Sequence, residues 1–217
     1  MIWRALLLWG AFASAVQAQE YLRAETALSD AQFYRLVSCA APPGGTCQKP
    51  VVRWRKNDLS VGITRMDAAY LGGKKKRAEA ALVRAIQEIN AAGSAIRLTR
   101  NDTAPDIPIL FLDMPARGTI QNSGFKALDG RSISAAGVRV FTKDGMIEKS
   151  VIIFTTGLQM RAYESAMLEE ITQGLGLLTD IGGSYYESRS IFSQTSNARV
   201  KLGTQDIMAL GRHYPAR

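Results

Sequence analysis

Four short segments with β-strand character follow one another between two long helical segments, and this succession limits the folds open to the chain. Each has the apolar, β-branched composition of a strand, and a turn at Asp144-Gly145 joins the last two into an antiparallel hairpin. A fifth, alternating segment precedes the first long helix. The five predicted strands cover residues 53–63, 96–100, 107–113, 137–142 and 149–155. Segregated strands and helices indicate an α+β domain with a mixed, twisted sheet of about five strands.

Helical periodicity is found in four segments. They cover residues 29–37, 74–92, 158–178 and 202–214. The longest places apolar side chains three and four residues apart, as expected of a helix that backs a sheet. Ser29 is a candidate N-cap for the first helix. The glycine-containing stretch 115–136 is predicted to be a surface loop.

The first 18 residues have the organisation of a secretory signal. Arg4 provides a positive start, an apolar run of about 11 residues follows, and small residues precede a cleavage site before Gln19. A membrane anchor is the alternative, but the run is shorter than the roughly 20 residues that span a bilayer. We therefore expect a secreted or periplasmic protein with no membrane span after cleavage. Its parts would be the signal peptide (1–18), an N-terminal extension (19–53) and a main domain (54–217).

The two cysteines, Cys39 and Cys47, flank a stretch that contains two prolines and two glycines and can turn tightly. In an oxidising compartment this arrangement predicts a local disulfide. A redox or zinc motif would need closer spacing or more cysteines.

The chain is basic, and its formal net charge of +8 becomes +7 once Arg4 is removed with the signal. This charge suits attraction to anionic surfaces, whereas nucleic acid is an unsuitable partner for an exported protein. The sharpest basic feature, here termed the basic patch, lies at the start of the longest helix. It comprises Lys74, Lys75, Lys76 and Arg77. The patch either binds an anionic envelope polymer or is a solvated helix end.

Residues 168–180, LEEITQGLGLLTD, follow the outline of a zinc-protease helix. In the HExxH motif, two histidines four residues apart lie on one helix face, and the glutamate polarises the metal-bound water. In the longer HExxHxxGxxH motif of metzincins, a glycine turns the chain and delivers a third histidine. Glu170 and Gly176 match the glutamate and the glycine. The three histidine positions hold Glu169, Gln173 and Thr179, and Asp180 follows the last.

Three further blocks match the same scaffold in order. Ser190-Ile191-Phe192 resembles the Met-turn of metzincins, with Phe192 in place of the methionine. Residues 202–214 resemble the closing helix of matrixin-like enzymes, and residues 104–113 resemble their central strand. From about residue 54 to residue 214, the chain thus resembles a metzincin scaffold in a bacterial family of secreted proteins of unknown function.

The resemblance implies a zincin-like fold without zinc chemistry. Zinc sites use at least three good N, S or O ligands, and the amide of Gln173 and the hydroxyl of Thr179 are poor ones. His213 is the only histidine, and the pattern places it on a different helix. We therefore expect no metal and no cofactor. The degenerate cleft would retain Glu169, Gln173, Gly176, Thr179, Asp180 and Phe192.

The function expected from this reasoning is that of a pseudoenzyme which binds an extended peptide or an envelope component. Strand addition requires only a free sheet edge and no catalytic group. The alternative is a hydrolase with a non-standard site built on Glu169, Glu170 and Asp180. In that case Glu170 is the catalytic candidate, because a positioned carboxylate can act as a general acid or base.

Overall fold

The computed structural model describes residues 15–17 and 21–216, and these residues contain nine β-strands and four α-helices. The strands are β1 (Ala15–Gln17), β2 (Tyr21–Arg23), β3 (Arg53–Trp54), β4 (Asp58–Met66), β5 (Arg97–Arg100), β6 (Ile107–Leu112), β7 (Ala136–Lys143), β8 (Met146–Thr155) and β9 (Asp180–Gly182). The helices are α1 (Asp30–Cys39), α2 (Gly73–Ala91), α3 (Tyr163–Gly174) and α4 (Thr204–His213).

The main sheet is mixed and mostly parallel, which confirms the predicted α+β class. Within the described residues its strands follow the order β1-β7-β8-β6-β4-β5, and β3 pairs with the start of β8. The neighbours from β8 to β5 run parallel, whereas β7 is antiparallel to β8 and β1 is antiparallel to β7. All five predicted strands are present, although the one expected at 53–63 divides into β3 and β4. β2 and β9 form a separate parallel pair.

Alternation along the central strands directs side chains into two cores. Phe111 of β6 lies in the main core with Leu82 of α2 and Met167 of α3. Leu110 and Leu112, its neighbours on the same strand, lie in a second and smaller core. The sheet is therefore apolar on both faces, and other parts of the chain must shield both faces from water.

The stretch 115–136 supplies the cover of the second face. Ile120, Leu128 and Ile133 are buried there against β6 and β8. The prediction of a surface loop was wrong for these side chains, because an exposed apolar sheet face would be unfavourable in water. The backbone of the stretch is irregular, but its buried side chains form a layer over the second face of the sheet.

Helix α3 is shorter than the helix predicted at 158–178. It begins at Tyr163 after a 3-10 turn at Met160–Ala162 and ends at Gly174. Gly176 has a φ of 107°, which residues with a Cβ rarely adopt, so the chain leaves the helical path there. The predicted prolongation to residue 178 was wrong for this reason.

The described part of the predicted N-terminal extension lies in the same core as the rest of the chain. Ser29 caps α1, since its Oγ accepts a hydrogen bond from the Gln32 amide at 3.3 Å, which confirms the predicted cap. Phe33, Leu36 and Val37 of α1 are fully buried in the main core. Burial of three large side chains anchors this helix to the domain.

A disulfide joins Cys39 at the end of α1 to Cys47, with 5.1 Å between the two Cα atoms, and confirms the predicted pairing. Arg35 of α1 also donates a hydrogen bond to the Gly45 carbonyl at 2.7 Å, within the loop that the disulfide closes. The loop is thus attached to α1 at both of its ends.

Most of the predicted signal peptide, including its cleavage site before Gln19, lies outside the described residues. Its residues 15–17 form β1, which pairs with residues 139–141 of β7. In the part of the chain that the structure describes, every helix is too short or too polar to cross a membrane.

Candidate functional site

Helix α3 and strand β9 bring four residues of the degenerate motif to one cavity. Glu169, Glu170 and Gln173 lie on α3, and Asp180 is the first residue of β9. They line a cavity of about 180 Å³, here termed the acidic cavity. Its wall is completed by residues that include Ser134, Ala135, Ala136, Ser193 and Asn197. The start of β7 therefore forms one side of the cavity.

Gln173 and Asp180 contact each other directly across this cavity. The Gln173 side-chain amide donates a hydrogen bond to Asp180 Oδ1 at 2.6 Å, and both side chains are buried. The i and i+4 spacing on α3 places Gln173 one turn below Glu169, as the motif predicts. The residue after α3 that contacts Gln173 is therefore Asp180.

Thr179, Gly176 and Phe192 do not line the acidic cavity. The Thr179 amide donates to the Val37 carbonyl at 3.1 Å, which directs this residue toward α1. Gly176 forms the predicted turn, and a Cβ at this position would collide with the Val52 carbonyl oxygen. Phe192 is fully buried and packs on Phe33, with 6.4 Å between ring centroids.

The residues at the three histidine positions do not suit zinc. The Gln173 amide is engaged by Asp180, Thr179 lies outside the cavity, and Glu169 alone offers a carboxyl group. Among the described residues, no three His, Cys, Asp or Glu side chains are grouped so that they could hold a metal ion.

Glu170 is buried without a complete set of hydrogen bonds. Its side chain is 5% exposed, and within the described chain its Oε2 has no hydrogen-bond partner. Arg139 of β7 is buried nearby and attracts Glu170, yet its guanidinium donates to the Val138 and Ser132 carbonyls at 3.3 and 3.5 Å. Sequence analysis missed Arg139, although a charged residue within an apolar strand was a signal of burial beside an acid.

The carboxyl groups of the cavity have perturbed acidities. Burial raises the pKa of Glu169 and of Glu170 well above their usual value, and the charge of Asp180 raises both further. Glu169 is partly exposed, whereas Glu170 is buried. Burial raises the pKa of Asp180 to about 7, against the opposing effect of the Gln173 hydrogen bond. Protonation of this group thus changes in the neutral range.

Asp206 of α4 holds the Ser190-Ile191-Phe192 turn in place. Its Oδ1 accepts from Ser190 Oγ at 2.6 Å, and its Oδ2 accepts from the backbone amides of Ile191 and Gly203 at 3.0 and 2.7 Å. Sequence analysis did not single out Asp206. Its signal was its place three residues after Gly203 at a helix start, where an acidic side chain can bond the cap amide.

His213 has a structural role. Its Nε2 lies 3.0 Å from the Val52 carbonyl and must donate to it, while its Nδ1 lies 3.2 Å from the Tyr34 hydroxyl. Tyr34 in turn accepts from Arg53 at 2.8 Å. Burial, together with the Arg53 charge, lowers the pKa of His213 to about 4, so the ring is neutral near pH 7.

The C-terminal end of α3 is held by side chains of β3, of β8 and of the residue that follows α4. The Gly174 carbonyl accepts from Trp54 Nε1 at 2.9 Å and from Ser150 Oγ at 2.7 Å. The Leu175 carbonyl accepts from the Tyr214 hydroxyl at 2.6 Å. Carbonyls that a helix end leaves unpaired are thereby satisfied, which fixes α3 along its axis.

The basic patch lies at the start of α2 and has local partners. Lys74 donates to the Ala69 carbonyl at 3.0 Å, and Lys75 lies 4.0 Å from Glu79. Arg77 lies 3.7 Å from Glu164 of α3. Three of its four charges thus contact other groups of the same chain.

One protein-family model matches nearly the whole chain. A family described as "Protein of unknown function (DUF2927)" has a model that matches residues 12–217. The chain belongs to the DUF2927 family. The match includes the predicted N-terminal extension as well as the main domain, so the whole acidic cavity of this DUF2927 protein lies within it. No curated protein matches the chain.

Proposed function

We propose that this DUF2927 protein is an exported, metzincin-like pseudoenzyme that binds an extended peptide along β7, beside the acidic cavity. The observation that carries the proposal is the pairing of β7 with residues 15–17, which belong to the predicted signal peptide. Cleavage before Gln19 would remove this strand. The outer edge of β7 at residues 139–141 would then be open for strand addition.

The order and placement of elements support the metzincin-like part of the proposal. A mixed sheet carries an antiparallel edge strand, and α3 lies beside it with Gly176 turning the chain after the helix. The Ser190-Ile191-Phe192 turn follows and is fixed by the closing helix. With Gln173 bonded to Asp180, the cleft offers hydrogen-bonding and charged groups in place of a metal centre.

The test compares the precursor with the processed protein recovered from the periplasm, each incubated with a panel of extended peptides. We expect binding by the processed protein and weaker binding by the precursor. Hydrogen exchange should show that peptide protects backbone amides at residues 139–141. The matched control is the best peptide with N-methylated backbone amides, which cannot complete the ladder. Equal binding of the methylated peptide, or protection elsewhere only, would contradict strand addition.

A second experiment tests the metzincin-like geometry itself. Two triple variants combine Glu169→His and Gln173→His with either Thr179→His or Asp180→His. Because Asp180 contacts Gln173 and Thr179 lies outside the cavity, we expect the Asp180 variant to bind zinc more tightly. Tighter binding by the Thr179 variant would instead mean that position 179 supplies the third ligand, as in the metzincin motif. If both variants fold and neither binds zinc, the three positions do not converge.

One observation favours a hydrolase as the second candidate function. Glu170 and Asp180 are buried carboxyl groups with raised pKa values in one cavity, and such perturbed groups are common among catalytic acids. If hydrolysis of a peptide, ester or glycan panel occurs, Glu170→Gln should abolish it. Turnover that persists in Glu170→Gln would assign the activity to a contaminant or to another site.

A further inference from the structure

We infer that the acidic cavity binds a cationic side chain, a lysine or an arginine, of the peptide held along β7. The inference rests on the proposed function and adds the chemical class of the ligand. It is carried by buried polar atoms without partners, by the charges around the cavity and by the position of the cavity on β7.

The first argument is the unused hydrogen-bonding capacity of the wall. Glu170 and Ser193 line the cavity, with exposed fractions of 5% and 4%. Neither Glu170 Oε2 nor Ser193 Oγ has a hydrogen-bond partner among the residues that the structure describes. Buried groups of this kind are destabilising unless a partner is supplied. An ammonium group offers three donors and a guanidinium group five.

The second argument is charge. Glu169, Glu170 and Asp180 line the cavity, whereas Arg139 is the cation that faces Glu170 from β7. The Arg139 guanidinium donates to carbonyl oxygens, and within the described residues it forms no ion pair with a carboxylate. The cavity is therefore short of positive charge. A ligand cation would complete charge-assisted hydrogen bonds that the protein leaves open.

The third argument is position. Ala136 lines the cavity and is also the first residue of β7, so a peptide that extends along this strand passes the cavity. Glu169 lines the cavity and is partly exposed, so the cavity is accessible on that side. One side chain of the peptide can thus enter while its backbone stays on the strand edge. A cationic side chain can be held by hydrogen bonds alone, whereas a metal ion needs ligands in a defined coordination geometry.

The pH dependence of binding follows from the groups that face the cavity. These are Glu169 and Glu170 of α3, Asp180 of β9, Arg139 of β7 and, next to Glu169, Asp206 of α4. Burial raises the pKa of all three lining acids, and that of Asp180 to about 7, so Asp180 is mostly protonated at pH 6 and mostly ionised at pH 8. A bound cation favours their ionised forms, so affinity should rise between pH 6 and pH 8.

The experiment measures binding of peptides with one backbone and a single scanned position carrying Lys, Arg, norleucine or Glu. The protein is recovered from the periplasm, and its processing is verified by mass. At one position, we expect Lys or Arg to bind about ten- to a hundredfold more tightly than norleucine, as for a charge-assisted hydrogen bond. Glu170→Gln should reduce this advantage about tenfold, and Asp180→Asn provides a second variant should Glu170→Gln fold poorly.

The matched control is Glu164→Gln, which removes a carboxylate from the same helix but away from the cavity, where it pairs with Arg77 and Arg84. It should keep the preference for Lys or Arg. Peptide binding without this preference, or a preference that both cavity variants retain, would overturn the inference and leave the proposed function intact. No binding of any peptide would overturn the proposed function. If n-butylamine or zinc then bound in a manner that depends on Glu170, the cavity would hold a free amine or a metal ion, and the peptide source would be wrong.

Discussion

Asp206 and Glu170 are both buried carboxyl groups of this molecule, and burial raises the pKa of each. Around Asp206 the chain supplies a hydroxyl and two backbone amides, so each of its oxygens accepts a hydrogen bond. Around Glu170 it forms a cavity of about 180 Å³, and within the described residues one carboxyl oxygen has no hydrogen-bond partner. The two groups are of similar chemistry in very different surroundings.

The difference lies in whether hydrogen bonds compensate the burial of the carboxyl group. Asp206 joins the helix start at Gly203 to the Ser190-Ile191-Phe192 turn, and its bonds offset its desolvation. Glu170 has no such compensation, so it lowers the stability of the fold that contains it. A group retained at such a cost is a candidate for binding or catalysis.

The largest expected effect is that of Asp206→Ala. This change leaves the buried Ser190 hydroxyl and the Ile191 and Gly203 amides without their acceptor. We expect a loss of about 3–5 kcal/mol in the free energy of unfolding, measured by urea denaturation. Asp206→Asn, which keeps one acceptor oxygen, should cost less. If Asp206→Ala costs under about 1 kcal/mol, the turn does not depend on this carboxylate and the contrast fails.

His213 should make the free energy of unfolding depend on pH with a sign opposite to that expected for Asp180 in the cavity. Because its pKa in the folded state is lowered to about 4 from 6.5, the unfolded chain binds an additional proton between these values. Stability should therefore fall by about 3 kcal/mol as the pH drops from 6.5 to 4. His213→Gln can still donate to Val52 and should remove this acid-dependent loss. An unchanged pH profile in the variant would assign the loss to other groups.

For Asp180, the folded-state pKa of about 7 lies above the usual 3.8, so the folded chain binds the additional proton between these values. Its stabilising contribution is complete below about pH 4 and is lost as the pH rises through about 7. We expect Asp180→Asn to be more stable than the parent by about 2 kcal/mol at pH 8 and equally stable near pH 4. Denaturation at both pH values checks this. A constant difference would show that Asp180 does not titrate in this range.

The smallest expected effect is that of Glu170→Met, which replaces the unpaired carboxyl group by an apolar side chain of similar length. We expect a gain of about 1 kcal/mol in stability at pH 8, together with loss of cationic peptide binding. Glu164→Met is the control, since it removes a carboxylate that pairs with Arg77 and Arg84. Destabilisation by Glu170→Met would mean that Glu170 contributes to folding as Asp206 does.

The sequence predicted the secondary structure better than the contacts of the site. Period-two and period-3.6 patterns are local, so the five strands and the helices could be located from them. The burial of Ile120, Leu128 and Ile133 could not be located, because it depends on which sheet face lacks a helix. Of the predicted cleft, the structure brings together Glu169, Gln173 and Asp180 with Glu170. Whether Thr179 or Asp180 meets Gln173 depends on the backbone path after Gly176, and spacing alone does not determine that path.

The attachment of α3 at its C-terminal end also has a mechanical consequence. Tyr214, directly after α4, is bonded to the Leu175 carbonyl, and its hydroxyl also accepts from the Trp54 amide at 3.0 Å. Tension applied through α4 would therefore reach α3 through a few hydrogen bonds, whereas the strands of the sheet resist together through their whole ladder. A partner that pulls on the C-terminal helix would deform the acidic cavity from a distance, without touching any residue that lines it.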